Sequence, residues 1–299
     1  LREISQAPIL VSDCIDRIKG APQINKLLHS IACTVPDIYI CEQSKIASAL
    51  GADYLSPRMK RISGSPISDA AYVLTAREMA MNWIPAVLAP PVKAIICDLD
   101  NTLYTGILAE DGIAELELTD AHAAIQKRLV NYSQSGVFIA LLSRNEVTDV
   151  DRLFAQREDF PLKNAFISAK AIGWESKATG LARICEELRI STDSVLVIDD
   201  NPGELADLIA HFPNTNFLHA SENAELTLNG LNFFPGLFRW KTDNADDLRV
   251  KDLAATKQRQ KLRPKAEEAQ SFMRSLKIKI KLEIDPSHEI YRLHQLSTK

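Results

Sequence analysis

From residue 92 onward the chain alternates between short, almost wholly apolar runs and longer segments with apolar residues every third or fourth place. The runs cover residues 92–97, 137–142 and 194–198, and such stretches read as strands buried on both faces. Helical stripes lie between them. Thr119 caps a helix carrying Ile125, Leu129 and Tyr132, with Gly136 as its stop. A second helix carries Val147, Val150 and Phe154, and a third, over 176–189, carries Leu181, Ile184, Cys185 and Leu188. Buried strands alternating with amphipathic helices predict an α/β fold with a parallel sheet covered on both faces. Functional groups of such sheets gather at the carboxyl ends of the strands. Residues 104–118, polar and glycine-bearing, are expected as a loop or hairpin.

The pattern is weaker on either side. Residues 9–11 and 38–40 read as short buried strands, and 68–88 as an amphipathic helix that ends before Pro90-Pro91. That proline pair marks a domain boundary. Past the sheet region, 246–260 and 264–276 read as charged helices. Residues 278–284 alternate, with Ile278, Ile280, Leu282 and Ile284 on one face and Lys277, Lys279, Lys281 and Glu283 on a solvated one. Leu293-His294-Gln295-Leu296 opens a helix cut off at Lys299. The expected division is an N-terminal α/β segment over 1–90, a central domain over 91–225 and a largely helical C-terminal segment over 226–299.

Composition narrows the function. A chain of 299 residues with 46% hydrophobic and 25% charged content has the make-up of a soluble globular protein with at least one sizeable core. A net charge of −4 supplies no basic excess to neutralise phosphates, which argues against a nucleic-acid binder. No apolar run approaches the length of a membrane-spanning helix. No signal-peptide pattern opens the chain at Leu1, and an excised piece of something longer is the expectation. Cys14, Cys33, Cys41, Cys97 and Cys185 are scattered, without CxxC spacing, so neither a disulfide framework nor a zinc site is expected, and a reducing cytoplasm suits them.

Each buried strand ends on groups with a chemical use. The first ends at Cys97-Asp98-Leu99-Asp100-Asn101-Thr102-Leu103, the second at Ser143-Arg144-Asn145, and the third at Asp199-Asp200-Asn201. Asp98 and Asp100 at i and i+2 of an extended chain face the same side about 7 Å apart. Anions that close repel unless a cation or shared proton intervenes. Carboxylates joined by a hydroxyl and Lys177 on one rim make an oxygen-ligand site for a hard divalent cation, Mg²⁺ above all. Lys177 and Ser143 suit phosphate oxygens.

This constellation resembles the haloacid dehalogenase (HAD) superfamily of phosphotransferases. Its DxDxT motif is similar to Asp98-Leu99-Asp100-Asn101-Thr102, its strand-end Ser or Thr to Ser143, its Lys to Lys177, and its acidic pair to Asp199-Asp200. The resemblance implies a three-layer Rossmann-like catalytic domain with a minimal cap. It implies that Asp98 attacks phosphorus to give an aspartyl-phosphate, and that Asp100 protonates the leaving oxygen and then deprotonates water. Mg²⁺ would bind Asp98, the backbone carbonyl of Asp100, and Asp199, with Asp200 supporting. Lys177 and Ser143 would hold phosphate, and Thr102 and Asn201 stand beside them among the substrate-binding candidates. Arg144 and Asn145, directly after Ser143, are expected to contact substrate. Trp174 either lines the pocket or packs, and Tyr104-Thr105-Gly106 forms either a flap or a plain hairpin.

A narrower resemblance covers most of the chain after about residue 60. The runs "DLDNTLYTGILAEDG", "GVFIALLSRNEVTDV", "NAFISAKAIGWESKATGLARI" and "VLVIDDNPGELADL" are similar to the FkbH-like branch of HAD subfamily IIIC, as are "GSPISDAAYVLTAREMAMNWIPAVL" and the tail "LHQLSTK". Members of that branch act in polyketide assembly. The resemblance implies dephosphorylation of 1,3-bisphosphoglycerate and loading of the glyceryl group onto an acyl carrier protein through an enzyme thioester. It also implies that the tail opens an acetyltransferase-like domain. Many relatives carry Cys just before the strand-end Ser, where this chain has Leu142. Cys97 adjoins Asp98 but is expected to point away from it as a buried, inert thiol. The alternative is a plain phosphatase of a phosphorylated sugar or small metabolite, as in glycan biosynthesis.

Overall fold

The computed structural model describes residues 7–240. The helices and strand expected over 246–296 lie outside the described residues.

Two parallel strands, β1 (Ile9–Ser12) and β2 (Ile38–Cys41), open the fold, joined by helix α1 (Ala21–Thr34). They are the two expected short strands, but β1 is half-buried rather than buried. Helices α2 (Gln43–Leu50), α3 (Pro57–Ser63) and α4 (Asp69–Glu78) follow. The helix expected over 68–88 starts on Ser68, whose hydroxyl accepts from the Ala71 N–H, but it is not continuous α-helix. A π turn over Met79–Trp83 separates α4 from the short α5 (Pro85–Leu88). Pro85 has no N–H to donate back into the preceding turn, and the Ile84 N–H instead reaches Met79 O.

Beyond the proline pair, the central sheet holds β3 (Ala94–Cys97), β4 (Phe138–Ser143), β5 (Ile167–Ile172), β6 (Val195–Asp199) and β7 (Asn216–His219), all parallel, in the order β5-β4-β3-β6-β7. Ala94, Ile95, Ile96 and Cys97 are fully buried because β3 is central and covered on both faces. The connecting helices are α6 (Leu108–Asp111), α7 (Asp120–Gln134), α8 (Val147–Gln156), α9 (Lys177–Leu188), α10 (Pro202–His211) and α11 (Ala224–Asn232). Ile125, Leu129 and Tyr132 of α7 join Val150, Leu153 and Phe154 of α8 and Leu231 of α11 against Ile95, Cys97, Ile139, Leu141, Leu196 and Ile198. On the other face α9 packs on β4 and β5, and α10 on β6 and β7. The result is the expected three-layer core.

Residues 104–118 hold one antiparallel bridge, Thr105 to Glu117, and the single turn of α6, so the excursion over the sheet edge is small. Gly106, at φ +115°, lies where a Cβ would meet Leu116 Cδ2 at 2.9 Å, so only glycine closes this turn without displacement. After α11, Leu237 packs in the central core, whereas Phe238 and Trp240 pack with Cys41, Ile46, Tyr54 and Trp83. The expected division at 225/226 falls inside α11.

Candidate active site

β3 delivers Asp98 to the carboxyl edge of the sheet, where its N–H donates to Ile198 O at the end of β6. β6 delivers Asp199 and Asp200 beside it, and α9 begins at Lys177, whose helix Ser176 caps through the Thr179 N–H. Lys177 Nζ lies 3.0 Å from Asp98 Oδ2 and 2.5 Å from Asp199 Oδ2, and all three side chains are buried. Asp98, Asp199 and Asp200 each offer a carboxylate oxygen, and these oxygens lie within 4.8 Å of one another. Asp98 Oδ1 is buried without a hydrogen-bond partner. An anionic oxygen left unsatisfied in that position is costly unless something binds it, and a hard divalent cation fits the donor set.

The electrostatics follow from burial. Burial pushes Asp98 up to about 6, Lys177 pulls it back, and Asp199 adds to the rise. Asp199 is raised by burial against the pull of Lys177 and the Asn201 N–H, and Asp200 by burial and Asp98. For Lys177 burial opposes the charge, but Asp98 and Asp199 outweigh it and hold the ammonium firmly protonated.

Asp100 sits apart from this carboxylate cluster. Its Oδ1 accepts from the Tyr104 hydroxyl at 2.7 Å and the Leu108 N–H at 2.9 Å, and its Oδ2 from Asn145 Nδ2 at 2.8 Å. Its carboxylate is therefore not among the clustered oxygens. Asn145 Nδ2 also donates to Ser143 Oγ at 3.1 Å, which leaves the Ser143 hydroxyl hydrogen for Asp98 or a ligand. Asn145, 1% exposed, thus ties Asp100 to Ser143. Thr102 is buried with its hydroxyl unpartnered.

Other sequence candidates have different partners. Arg144 forms an ion pair with Glu204 at 2.8 Å. Asn201 Oδ1 caps α10, accepting from the Gly203 and Glu204 N–H groups. Trp174, 64% exposed, donates its indole N–H to Glu146 Oε1 at 2.7 Å, so it neither packs in a core nor reaches the carboxylates through that group. Cys97 is fully buried, and burial and Asp98 together drive its thiol pKa far up. Leu142 is buried, facing α9, where Gly180 leaves space for it. The Tyr104 contact with Asp100 escaped the sequence reading; a hydroxyl four positions on from Asp100, at a turn, was its signal. His122 and His219, scattered among six histidines, gave none. Both line a cavity of about 500 Å³ next to Asp200.

No protein-family model matches the sequence, and no curated protein matches it. Solved structures do. The N-terminal part of BF1531 from Bacteroides fragilis, containing a phosphatase domain complexed with Mg, is 23% identical with a TM-score of 0.60, covering 79% of this chain and 69% of that one. The 3-deoxy-D-manno-octulosonate 8-phosphate phosphatase of Moraxella catarrhalis, in complex with magnesium, phosphate and KDO, is 18% identical with a TM-score of 0.31, covering 54% of this chain and 92% of its own. The cobalt-bound deoxy-D-mannose-octulosonate 8-phosphate phosphatase of Haemophilus influenzae is 17% identical with a TM-score of 0.32, covering 55% and 90%. The described chain has the three-layer, parallel-sheet fold of the HAD-type phosphatases.

Proposed function

We propose that this chain is a Mg²⁺-dependent phosphatase of small phosphomonoesters, acting through an aspartyl-phosphate on Asp98. The observation that carries the reading is Asp98 itself, buried at the sheet edge, held by Lys177 through Oδ2, with Oδ1 unpartnered beside Asp199 and Asp200. Lys177 keeps Asp98 anionic and hence nucleophilic. In the first half-reaction an Asp98 oxygen bonds to phosphorus while the bond from phosphorus to the leaving oxygen breaks, and protonated Asp100 gives that oxygen its proton. In the second, ionised Asp100 takes a proton from water, whose oxygen bonds to phosphorus as the bond to Asp98 breaks. Tyr104, the Leu108 N–H and Asn145 fix Asp100 for both transfers. Asp98, Asp199, Asp200 and the Asp100 carbonyl are the groups that would hold Mg²⁺, which supplies charge stabilisation for the transferring phosphoryl group. Ser143, whose Oγ accepts from Asn145 Nδ2, would donate its hydroxyl hydrogen to a phosphoryl oxygen. The test is phosphate release from p-nitrophenyl phosphate. Asp98→Asn, nearly isosteric, abolishes turnover in a folded protein, and EDTA abolishes it in the wild type; full activity in either case sinks the mechanism.

A second reading comes from the resemblance of the motif runs to FkbH-like proteins: the same site takes 1,3-bisphosphoglycerate and loads glycerate onto an acyl carrier protein. Among the described residues Cys97 is sealed in the core and Leu142 stands in the usual thiol position. Transfer would therefore go straight to the carrier: its thiol gives up its proton as sulfur bonds to the acyl carbon and the bond to the C1 phosphate breaks, that proton leaving with the released phosphate. The C3 phosphate would be hydrolysed through Asp98 by the two half-reactions above. Intact-mass measurement of enzyme and carrier protein after incubation with 1,3-bisphosphoglycerate separates the readings. A mass increase on the carrier supports transfer, and phosphate release with neither mass changed supports simple hydrolysis.

A further inference from the structure

The cavity beside Asp200 has a chemical character of its own. Asn101, Thr105, His122, Asp200, His219 and Glu222 supply its polar lining, and about 500 Å³ is the scale of a small-molecule site. It opens between the Asp98–Thr102 loop and the end of β7, beside the first residue of α10.

Several of these side chains are fixed while keeping hydrogen-bonding capacity. His219 Nε2 lies 2.9 Å from Asp200 O; a carbonyl only accepts, so Nε2 carries the hydrogen and Nδ1 is left uncommitted. His122 is held through Nδ1 by the Thr119 hydroxyl at 2.8 Å, leaving Nε2, and burial lowers its pKa, so the ring is neutral near pH 7. Asn101 sits at φ +50°, and its Oδ1 accepts from the Gly106 N–H at 3.0 Å, leaving the two hydrogens of its Nδ2. Thr105 adds a hydroxyl. The charged groups are two carboxylates, Asp200 and Glu222, with no Lys or Arg among the lining residues.

We infer that this cavity receives the alcohol part of the phosphomonoester, and that this part carries several hydroxyl groups and no second negative charge. The inference rests on the phosphatase reading and narrows its substrate class. Two imidazoles with a free ring nitrogen each, an amide and a hydroxyl match vicinal hydroxyls, which both donate and accept. A second phosphate or a carboxylate would meet Glu222 with no Lys or Arg of the lining to offset it, and like-charge contact is an effective means of rejection. Such chemistry favours a monophosphorylated sugar or polyol over a bisphosphate.

The test compares full-length enzyme on p-nitrophenyl phosphate, glucose 6-phosphate, mannose 6-phosphate, fructose 1,6-bisphosphate and 3-phosphoglycerate in Mg²⁺. The expected kcat/KM for at least one hexose monophosphate exceeds that for both esters with a second anionic group by about tenfold or more. In Glu222→Lys the ratio of fructose 1,6-bisphosphate to hexose monophosphate turnover rises about tenfold, and in Glu222→Gln by less. A wild-type preference for the esters with a second anionic group, or an unchanged ratio in Glu222→Lys, overturns the inference while leaving the phosphatase reading intact. If p-nitrophenyl phosphate and every other ester resist cleavage, the phosphatase reading fails. The cavity is then judged by the His122 and His219 ring resonances: shifts on adding glucose or mannitol, and not 3-phosphoglycerate, uphold its preference, and the reverse refutes it.

Discussion

Lys177 stands at the first position of α9, where the helix dipole disfavours a cation by about 0.3–1 kcal/mol. Its two buried carboxylate partners outweigh that. Lys177→Met strands Asp98 and Asp199 together in a buried setting, and breaking a buried pair this way costs about 3–5 kcal/mol. The variant is expected to unfold at lower denaturant in EDTA, with much of the loss recovered in Mg²⁺. The folded-state pKa of Asp98, about 6, lies above its ordinary value of 3.8. The folded protein thus binds more protons than the unfolded chain between those values, and metal-free stability falls as pH rises through that window. Mg²⁺ competes with the same proton, so the rise in Tm on adding Mg²⁺ is expected to be larger at pH 7.5 than at pH 5. Equal shifts at both pH values would contradict this origin. The two motif aspartates also separate. Under the proposed mechanism Asp100→Asn is expected to slow turnover by about 10²–10⁴-fold and leave Mg²⁺ affinity nearly unchanged, whereas Asp199→Ala is expected to lose the metal. Isothermal titration with Mg²⁺ distinguishes the two.

At the scale of elements, Leu142 and Gly180 show how β4 and α9 approach. A Cβ on Gly180 would lie 2.6 Å from Leu142 Cδ1. Gly180→Ala is expected to cost about 1–3 kcal/mol in chemical denaturation, and Leu142→Val on that background to recover part of it. Such contacts also explain what was legible beforehand. The strands β3, β4 and β6 are buried on both faces, so their hydrocarbon runs stood out, and each led directly to Asp98, Ser143 or Asp199. The edge strands β5 and β7 went unread because Ser168, Lys170, Asn216 and His219 interrupt them, as half-covered edges permit. Roles were harder to read than positions. Arg144 and Asn201 sit on the expected rim, yet one is ion-paired and the other caps a helix. No single-residue pattern announces which strand-end polar group is already engaged.

Across residues 7–240, the segment after α11 joins the central core to the N-terminal layer. Gly236 O accepts from the Val92 N–H at 3.0 Å, Leu237 enters the central core, and Trp240 lies 5.5 Å from Tyr39 and 6.5 Å from Trp83 between ring centroids. Trp240→Ala is expected to lower stability by up to about 3–5 kcal/mol. Hydrogen exchange should localise the effect, with amides of Ile40 and Ile46 losing more protection than those of Ile95 and Ile96.

The carboxylate cluster around Lys177 has a further consequence at this scale. With Asp98, Asp199 and Asp200 ionised and Lys177 protonated, the pocket holds two negative charges in excess. Under the proposed function a divalent ion would bring it to neutrality, so an arriving phosphate dianion would meet no net repulsion. A monovalent ion leaves the pocket anionic and opposed to its own substrate. A trivalent ion overcompensates and would grip the released phosphate. Three carboxylates less one ammonium make a divalent ion the charge match for this pocket.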